Sequence, residues 1–399
     1  MGNNNVCLAE IPVYRTHHTS PKSKTKWKRE DLKSGSCIQT LVDKENNPDF
    51  FIHYQCGQEL PQYRNKLAQT KWSEAVNSSI STINDSQQTI DSLIDKPEFR
   101  ELVLLGPPKQ LRWLSWINLL TKSQPPISYE KYLENPPTDI SNIIKDIDRT
   151  FVDNALFSHQ SCGQEQLKRV LCAISNALPT MGYCQGMNFV CAVLLIVSGC
   201  DEHQVFQAFM QMLINEQHLL CFAFSNDMPL HFFLTSLIHY QIRKKFPKLN
   251  LSDISDSFWL SKMILSLFTY VFKMEDCIRC WDYLMVRGMI RGIPELILAF
   301  IDATYTQLCK FQEEDFAYNF KGPETTTIKF NVGELIYLAK SNHTLDRSFI
   351  SKFAKKMRDK NNPSQLLDLL QYYNNPQLYK KQVSFYINTI YYQFLTNII

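Results

Sequence analysis

Glycine is scarce in this chain, with 12 residues in 399, about 3% against a usual ~7%. That scarcity limits the available architectures. Gly-rich phosphate loops, collagen-like repeats and turn-dense β-sandwiches all need more glycine than the chain supplies. Punctuation falls instead to prolines: Gly106-Pro107-Pro108, Pro125-Pro126, Pro136-Pro137, Pro179 to Gly182, Asn226 to Pro229 and Phe246-Pro247. Between these breaks the apolar residues recur at helical spacing, which predicts an all-α protein of successive helices. Hydrophobic residues make up 44% of the chain, enough for a large core, and they exclude global disorder. The formal charge is +3, without the basic surplus of a dedicated nucleic-acid binder.

The longest apolar run, Phe189 to Val197, falls well short of the ~20 residues that span a bilayer. No apolar stretch lies near the N-terminus, so the expectation is a cytoplasmic protein whose cysteines are reduced. Cys277-x-x-Cys280 lacks a second pair at zinc-binding spacing and reads as two buried helical thiols. No metal site is expected.

Three divisions follow. Residues 1–65 read as an irregular, partly basic extension, residues 66–310 as a helical body, and residues 311–399 as a basic, aromatic-rich helical extension. In the last of these, Val383, Tyr386, Ile387, Ile390, Tyr391, Phe394, Leu395 and Ile398 form one apolar stripe, suited to docking on the body or on a partner. Gly2 would be exposed after loss of Met1, and Cys7 lies nearby. However, Val6 stands where an N-myristoylation signal has Ser or Thr. Lys22, Lys24, Lys26, Lys28 and Arg29 form a basic run that could join an acyl chain in peripheral attachment to endomembranes. An ordinary solvated tail explains the same residues.

Three short segments could carry chemistry. Arg112 and Trp116 are four residues apart after the Gly106 break, on one helix face. In Ile143-Ile-Lys-Asp146-Ile-Asp-Arg149, Ile140, Ile143, Ile144, Ile147 and Phe151 form an apolar stripe, opened by a cap at Thr138 or Asp139. Arg149 falls nearly opposite the stripe and should point outward, with Asp146 at i−3 to hold its guanidinium. In Tyr183-Cys-Gln185-Gly186-Met-Asn188, Gln185 sits in a constrained turn at the mouth of the apolar run, where a carboxamide can donate to and accept from one water. Taken singly, each also fits a structural role: an Arg stem packed on a ring, a surface ion pair, and a loop-bracing amide.

Taken together, in this order and at this spacing, they resemble the TBC-domain GTPase-activating proteins that act on Rab small GTPases. The shared patterns are R-x-x-x-W (Arg112, Trp116), I-x-x-D-x-x-R (Ile143, Asp146, Arg149) and Y-x-Q (Tyr183, Gln185). Supporting matches are Lys71-Trp72, Gln166 to Leu171, Trp259, and Arg279-Cys-Trp281-Asp282. The resemblance runs from about Trp72 to Lys310. Val152 departs from it, standing where the family often has Pro, and so does Pro108-Lys109. It implies a two-subdomain helical fold and a GTP-bound Rab partner in vesicle trafficking. Arg149 would be an arginine finger and Gln185 a glutamine finger, supported by Asp146 and Tyr183. Arg112, Trp116, Ile143, Gly186, Asn188, Trp281 and Asp282 would be structural. The chain would need no cofactor of its own, because the partner carries GTP and Mg²⁺. The alternative is a catalytically weak Rab-binding scaffold or effector.

Overall fold

The computed structural model describes residues 12–13, 52–53, 68, 70–72, 74–75 and 86–396, apart from 123, 125, 153, 155, 158–161, 250, 252–253 and 361–363. Gly2, Cys7 and the basic run Lys22 to Arg29 lie outside the described residues. Among those described, the β-structure is one two-residue antiparallel ladder, Pro12–Val13 with Ile52–His53; the rest is helices and turns.

The chain divides into two compact units. One comprises residues 1–177 with 185–210, the other 178–184 with 211–399. In the first unit the helices are α1 (Ser86–Leu93), α2 (Phe99–Leu105), α3 (Lys109–Thr121), α4 (Ile140–Ile147), α5 (Cys162–Ala177) and α6 (Met187–Ser198), followed by most of α7 (Glu202–Ile214). Helix α6 holds the apolar run and is apolar on every side, so it must be enclosed on every side. Val190 to Val197 are all at most 1% exposed. Helices α4 and α5 pack on it and on each other. Trp72 is buried against Phe99 with ring centroids 6.4 Å apart, and its Nε1–H donates to the Leu102 carbonyl at 3.0 Å. Trp113 similarly donates to Gln204 Oε1 at 2.6 Å.

The second unit continues with α8 (Cys221–Phe224), α9 (Pro229–Lys245), α10 (Leu260–Leu265), α11 (Met274–Arg287) and α12 (Met289–Leu308). It then takes in α13 (Glu313–Asn319), α14 (Val332–Ser341), α15 (Arg347–Lys360), α16 (Gln365–Leu370) and α17 (Pro376–Thr396). Residues 311–399 therefore share a compact unit with residues 211–310. Helix α12 is central, packed against α9, α11 and α14. Only Gly288 separates α11 from α12. It adopts φ 77° and faces the Gln217 carbonyl where a side chain would stand.

A buried carboxylate organises this region. Glu295 is fully buried on α12. It accepts from the Tyr283 hydroxyl at 2.8 Å, from Arg287 Nε at 2.9 Å and Nη2 at 2.5 Å, and from the Leu345 backbone N–H at 2.7 Å. On α17, Val383 is buried and Tyr386 stacks on Phe222 at 5.2 Å, while Phe385 on another face is 72% exposed. Cys277 and Cys280 are buried free thiols whose pKa values burial pushes well up.

Candidate functional site

The first unit brings two of the three sequence segments onto one framework. Helix α4 is amphipathic, and Ile143 and Ile147 are buried against the core. The expected stripe is narrower than its sequence suggested. Ile144 lies at its edge and is 43% exposed, because 100° of rotation from Ile143 already carries it off the core face. The expected cap is also different. Asp139 occupies the N-cap position without a side-chain capping bond, and its carboxylate accepts from the Ser175 hydroxyl at 3.5 Å instead.

The helix ends at Ile147, two residues before Arg149, so Arg149 stands on a turn rather than within the helix. The Arg149 N–H donates to the Asp146 carbonyl at 3.3 Å and the Thr150 N–H to the Ile147 carbonyl at 3.0 Å. These tightened bonds keep the helical phase for one more step, and Arg149 points outward as expected. The Arg149 side chain is 56% exposed, whereas that of Asp146 is only 8% exposed, and Arg149 Nη2 lies 2.5 Å from Asp146 Oδ1. One edge of the planar guanidinium is thus held by a carboxylate fixed in the core wall, while the group reaches solvent. Phe151 then turns away at φ +44°, a conformation uncommon outside glycine, and Val152 is 53% exposed.

The second segment opens α6. Gly186 is its N-cap residue at φ 109°, ψ −33°, a region that a side chain makes costly. Its N–H donates to Asn188 Oδ1 at 3.0 Å. Gln185, immediately before it, is exposed, while Gly186, Met187 and Asn188 are buried. Tyr183 is half-buried and belongs to the second unit.

Between the two segments lies a residue that belongs to none of the sequence motifs. Thr150 is fully buried. Its hydroxyl donates to the Asp146 carbonyl at 2.6 Å and accepts from Asn188 Nδ2 at 2.8 Å. A signal was present, because Thr150 falls on the apolar face of the Ile143–Ile147 helix, where a polar side chain needs a partner. Spacing gives no hint that the partner is Asn188.

The remaining sequence candidates are core residues. Arg112 and Trp116 are at most 1% exposed on α3. In the second unit, buried Trp281 donates from Nε1 to the Leu267 carbonyl at 2.9 Å, and buried Asp282 accepts from Arg279 Nη1 at 3.1 Å. Buried Trp259 meets Phe316 and Phe320 edge-on. No helix among the described residues is long and apolar enough to cross a membrane.

The chain is similar to known proteins in both sequence and fold. The Rab-GTPase-TBC domain family model matches residues 107–309, a span that includes Arg112, Arg149, Gln185 and Asp282. The chain is 30% identical over 236 residues to the Rab GTPase-activating protein tbc-11 of Caenorhabditis elegans, covering 56% of this chain and 25% of that protein. It is 29% identical over 221 residues to small G protein signaling modulator 3 of Bos taurus, covering 50% of this chain and 28% of that protein. The chain therefore spans about a quarter of the length of these relatives. The crystal structure of the Chlamydomonas flagellar RabGAP TBC domain superposes with a TM-score of 0.55 at 18% identity, covering 73% of this chain and 99% of that domain. The Ypt/Rab-GAP domain of Gyp1p superposes with a TM-score of 0.50 at 15% identity, covering 69% of this chain and 97% of that domain. With its helical fold and a family match across half its length, the chain belongs to the Rab-GTPase-TBC domain family.

Proposed function

We propose that this chain is a GTPase-activating protein for a GTP-bound Rab-type small GTPase, with Arg149 and Gln185 supplied in trans as the catalytic side chains. The observation that carries the proposal is the pairing of Arg149 with Asp146. A more than half-exposed guanidinium is anchored at 2.5 Å to a nearly buried carboxylate, on the same framework as the exposed Gln185. An isolated surface ion pair is worth little for stability. A planar cation held ready at a surface is what a developing negative charge on a transferred phosphoryl group requires.

Hydrolysis of GTP needs a positioned water and positive charge on the phosphoryl oxygens. Nucleotide and Mg²⁺ arrive with the GTPase, so this chain contributes side chains alone. Arg149 presents N–H donors in a fork that matches phosphate oxygens, and Asp146 limits the orientations it samples. Gln185 offers both a donor and an acceptor to orient the attacking water. The half-buried Tyr183 shapes the turn that carries Gln185. Peripheral membrane association through an acyl chain at Gly2 together with the N-terminal basic run belongs to the same proposal, and liposome flotation of wild type against Gly2→Ala tests it; equal solubility of the two excludes the acyl anchor.

Single-turnover GTP hydrolysis by a panel of Rab proteins tests the activity. Arg149→Ala is expected to lower the stimulated rate about 10³–10⁵-fold, equivalent to about 4–7 kcal/mol. Gln185→Ala should remove most of the stimulation and leave binding to GTP-loaded Rab largely intact. Full stimulation by Arg149→Ala would overturn the assignment of the finger. Binding without stimulation by the wild-type chain would instead identify a Rab-binding scaffold.

A further inference from the structure

We propose that Thr150 and Asn188 form a positioning link that sets the geometry of Arg149 and Gln185 relative to each other; this inference rests on the function proposed above. Arg149 immediately precedes Thr150, and Gln185 immediately precedes Gly186. A continuous hydrogen-bonded path joins these neighbours. The Gly186 N–H donates to Asn188 Oδ1, Asn188 Nδ2 donates to Thr150 Oγ1, and the Thr150 hydroxyl donates to the Asp146 carbonyl, at 3.0, 2.8 and 2.6 Å. Asp146 in turn holds Arg149 through its carboxylate. The path therefore begins at the backbone beside one reactive side chain and ends at the residue that anchors the other.

Three features give this path stiffness. Thr150 and Asn188 are both fully buried, so water cannot substitute for a lost bond without entering the core. Each polar group in the path has a fixed direction, since Asn188 must turn its carbonyl oxygen to Gly186 and its amino group to Thr150. A second cross-connection lies one residue further along both segments. Phe151 meets Phe189 edge-on, with ring centroids 5.4 Å apart and planes at 69°. The left-handed conformation of Phe151, φ +44°, directs its ring there at a backbone cost that packing must offset. Consecutive polar and aromatic contacts between residues 150–151 and 188–189 thus tie together two segments that are 38 residues apart.

Thr150 and Asn188 touch neither nucleotide nor partner on this account; they act through Arg149 and Gln185. The test uses the full chain and the Rab it stimulates best, with melting temperature, affinity for the GTP-loaded Rab, and kcat and KM measured for each variant. Thr150→Val keeps the shape and removes the hydroxyl. It is expected to lower kcat about 10- to 100-fold, the scale of a misplacement near 1 Å, with KM within twofold of wild type. Thr150→Ser restores the hydroxyl and should recover most of kcat, which a packing role for the methyl group would not allow. In an Arg149→Ala, Gln185→Ala background, Thr150→Val should cause no further loss. Asn188→Ala cuts the path from the other side and should reproduce the kcat effect if Thr150→Val fails to fold. Wild-type kcat in a folded Thr150→Val or Asn188→Ala protein overturns the link, and so does an equal loss in the fingerless background. If wild type accelerates no Rab, the parent proposal falls and the link falls with it. If wild type is active and Arg149→Ala is not, a normal Thr150→Val removes the link alone.

Discussion

Replacing Glu295 by alanine should destabilise the second unit by about 3–5 kcal/mol, the range for removing one member of a buried ion pair. The magnitude follows from what the carboxylate holds. It is fully buried and receives four hydrogen bonds, from Tyr283, twice from Arg287 and from the Leu345 backbone. Truncation leaves a fully buried phenol and a backbone N–H without an acceptor, each costing about 1–3 kcal/mol. It also strands the Arg287 guanidinium, whose side chain is 21% exposed and regains only part of its hydration. Equilibrium urea unfolding followed by circular dichroism measures the loss. At about 2–4 °C per kcal/mol for a unit of this size, the melting temperature should fall by about 6–20 °C. Because Leu345 lies beyond the 107–309 family match, the same bond couples the C-terminal segment to α12, and protease sensitivity beyond residue 310 should rise in parallel. A loss below about 1 kcal/mol would refute the reasoning, since it would mean that water replaces the carboxylate at no cost.

Three further outcomes are expected. Gly186→Ala forces a side chain onto φ 109°, ψ −33° and should cost about 1–3 kcal/mol, read by thermal melting; GTPase stimulation should fall further than Gly186→Ala stability alone explains, because Gln185 shares the turn. Gly288→Ala drives a methyl group into the Gln217 backbone carbonyl at φ 77° and should lower the yield of folded protein, whereas an unchanged melting temperature would show that the α11–α12 junction relaxes. His343 donates from Nε2 to Asp302 Oδ2, 2.9 Å away, and accepts at Nδ1 from Lys245 Nζ at 3.1 Å. Burial pushes its pKa down, Asp302 opposes that, and Lys245 adds to it. The unfolded chain therefore takes up the proton first, near pH ~6.5, and stability is full above that pH and falls below it. His343→Gln should flatten this acid limb; an unchanged slope would place the proton uptake elsewhere.

The parts of the site that were legible in the sequence are the local ones. Arg149 points outward with Asp146 beside it because residues three apart meet on a helical turn whatever the rest of the chain does. Gln185 sits at the mouth of α6 because Gly186 and the apolar run fix a helix start there. The division at Pro and Gly into helices follows for the same reason, since backbone restriction acts within a few residues. Even locally there were limits. Ile144 belongs to the apolar stripe by spacing yet is exposed, and α4 stops at Ile147, before the residue it presents.

The scarcity of glycine, the helical periodicity and the order of the three motifs were enough to determine an all-α chain and to single out Arg149 and Gln185. Tertiary structure alone decided which distant groups complete them. Thr150 finds Asn188 across 38 residues and Glu295 finds Leu345 across 50. Neither pairing has a period or a spacing, because a buried polar group is satisfied by whatever the packing of separate helices brings within reach. Sequence thus named two exposed polar side chains, and the folded core decided what holds them in place.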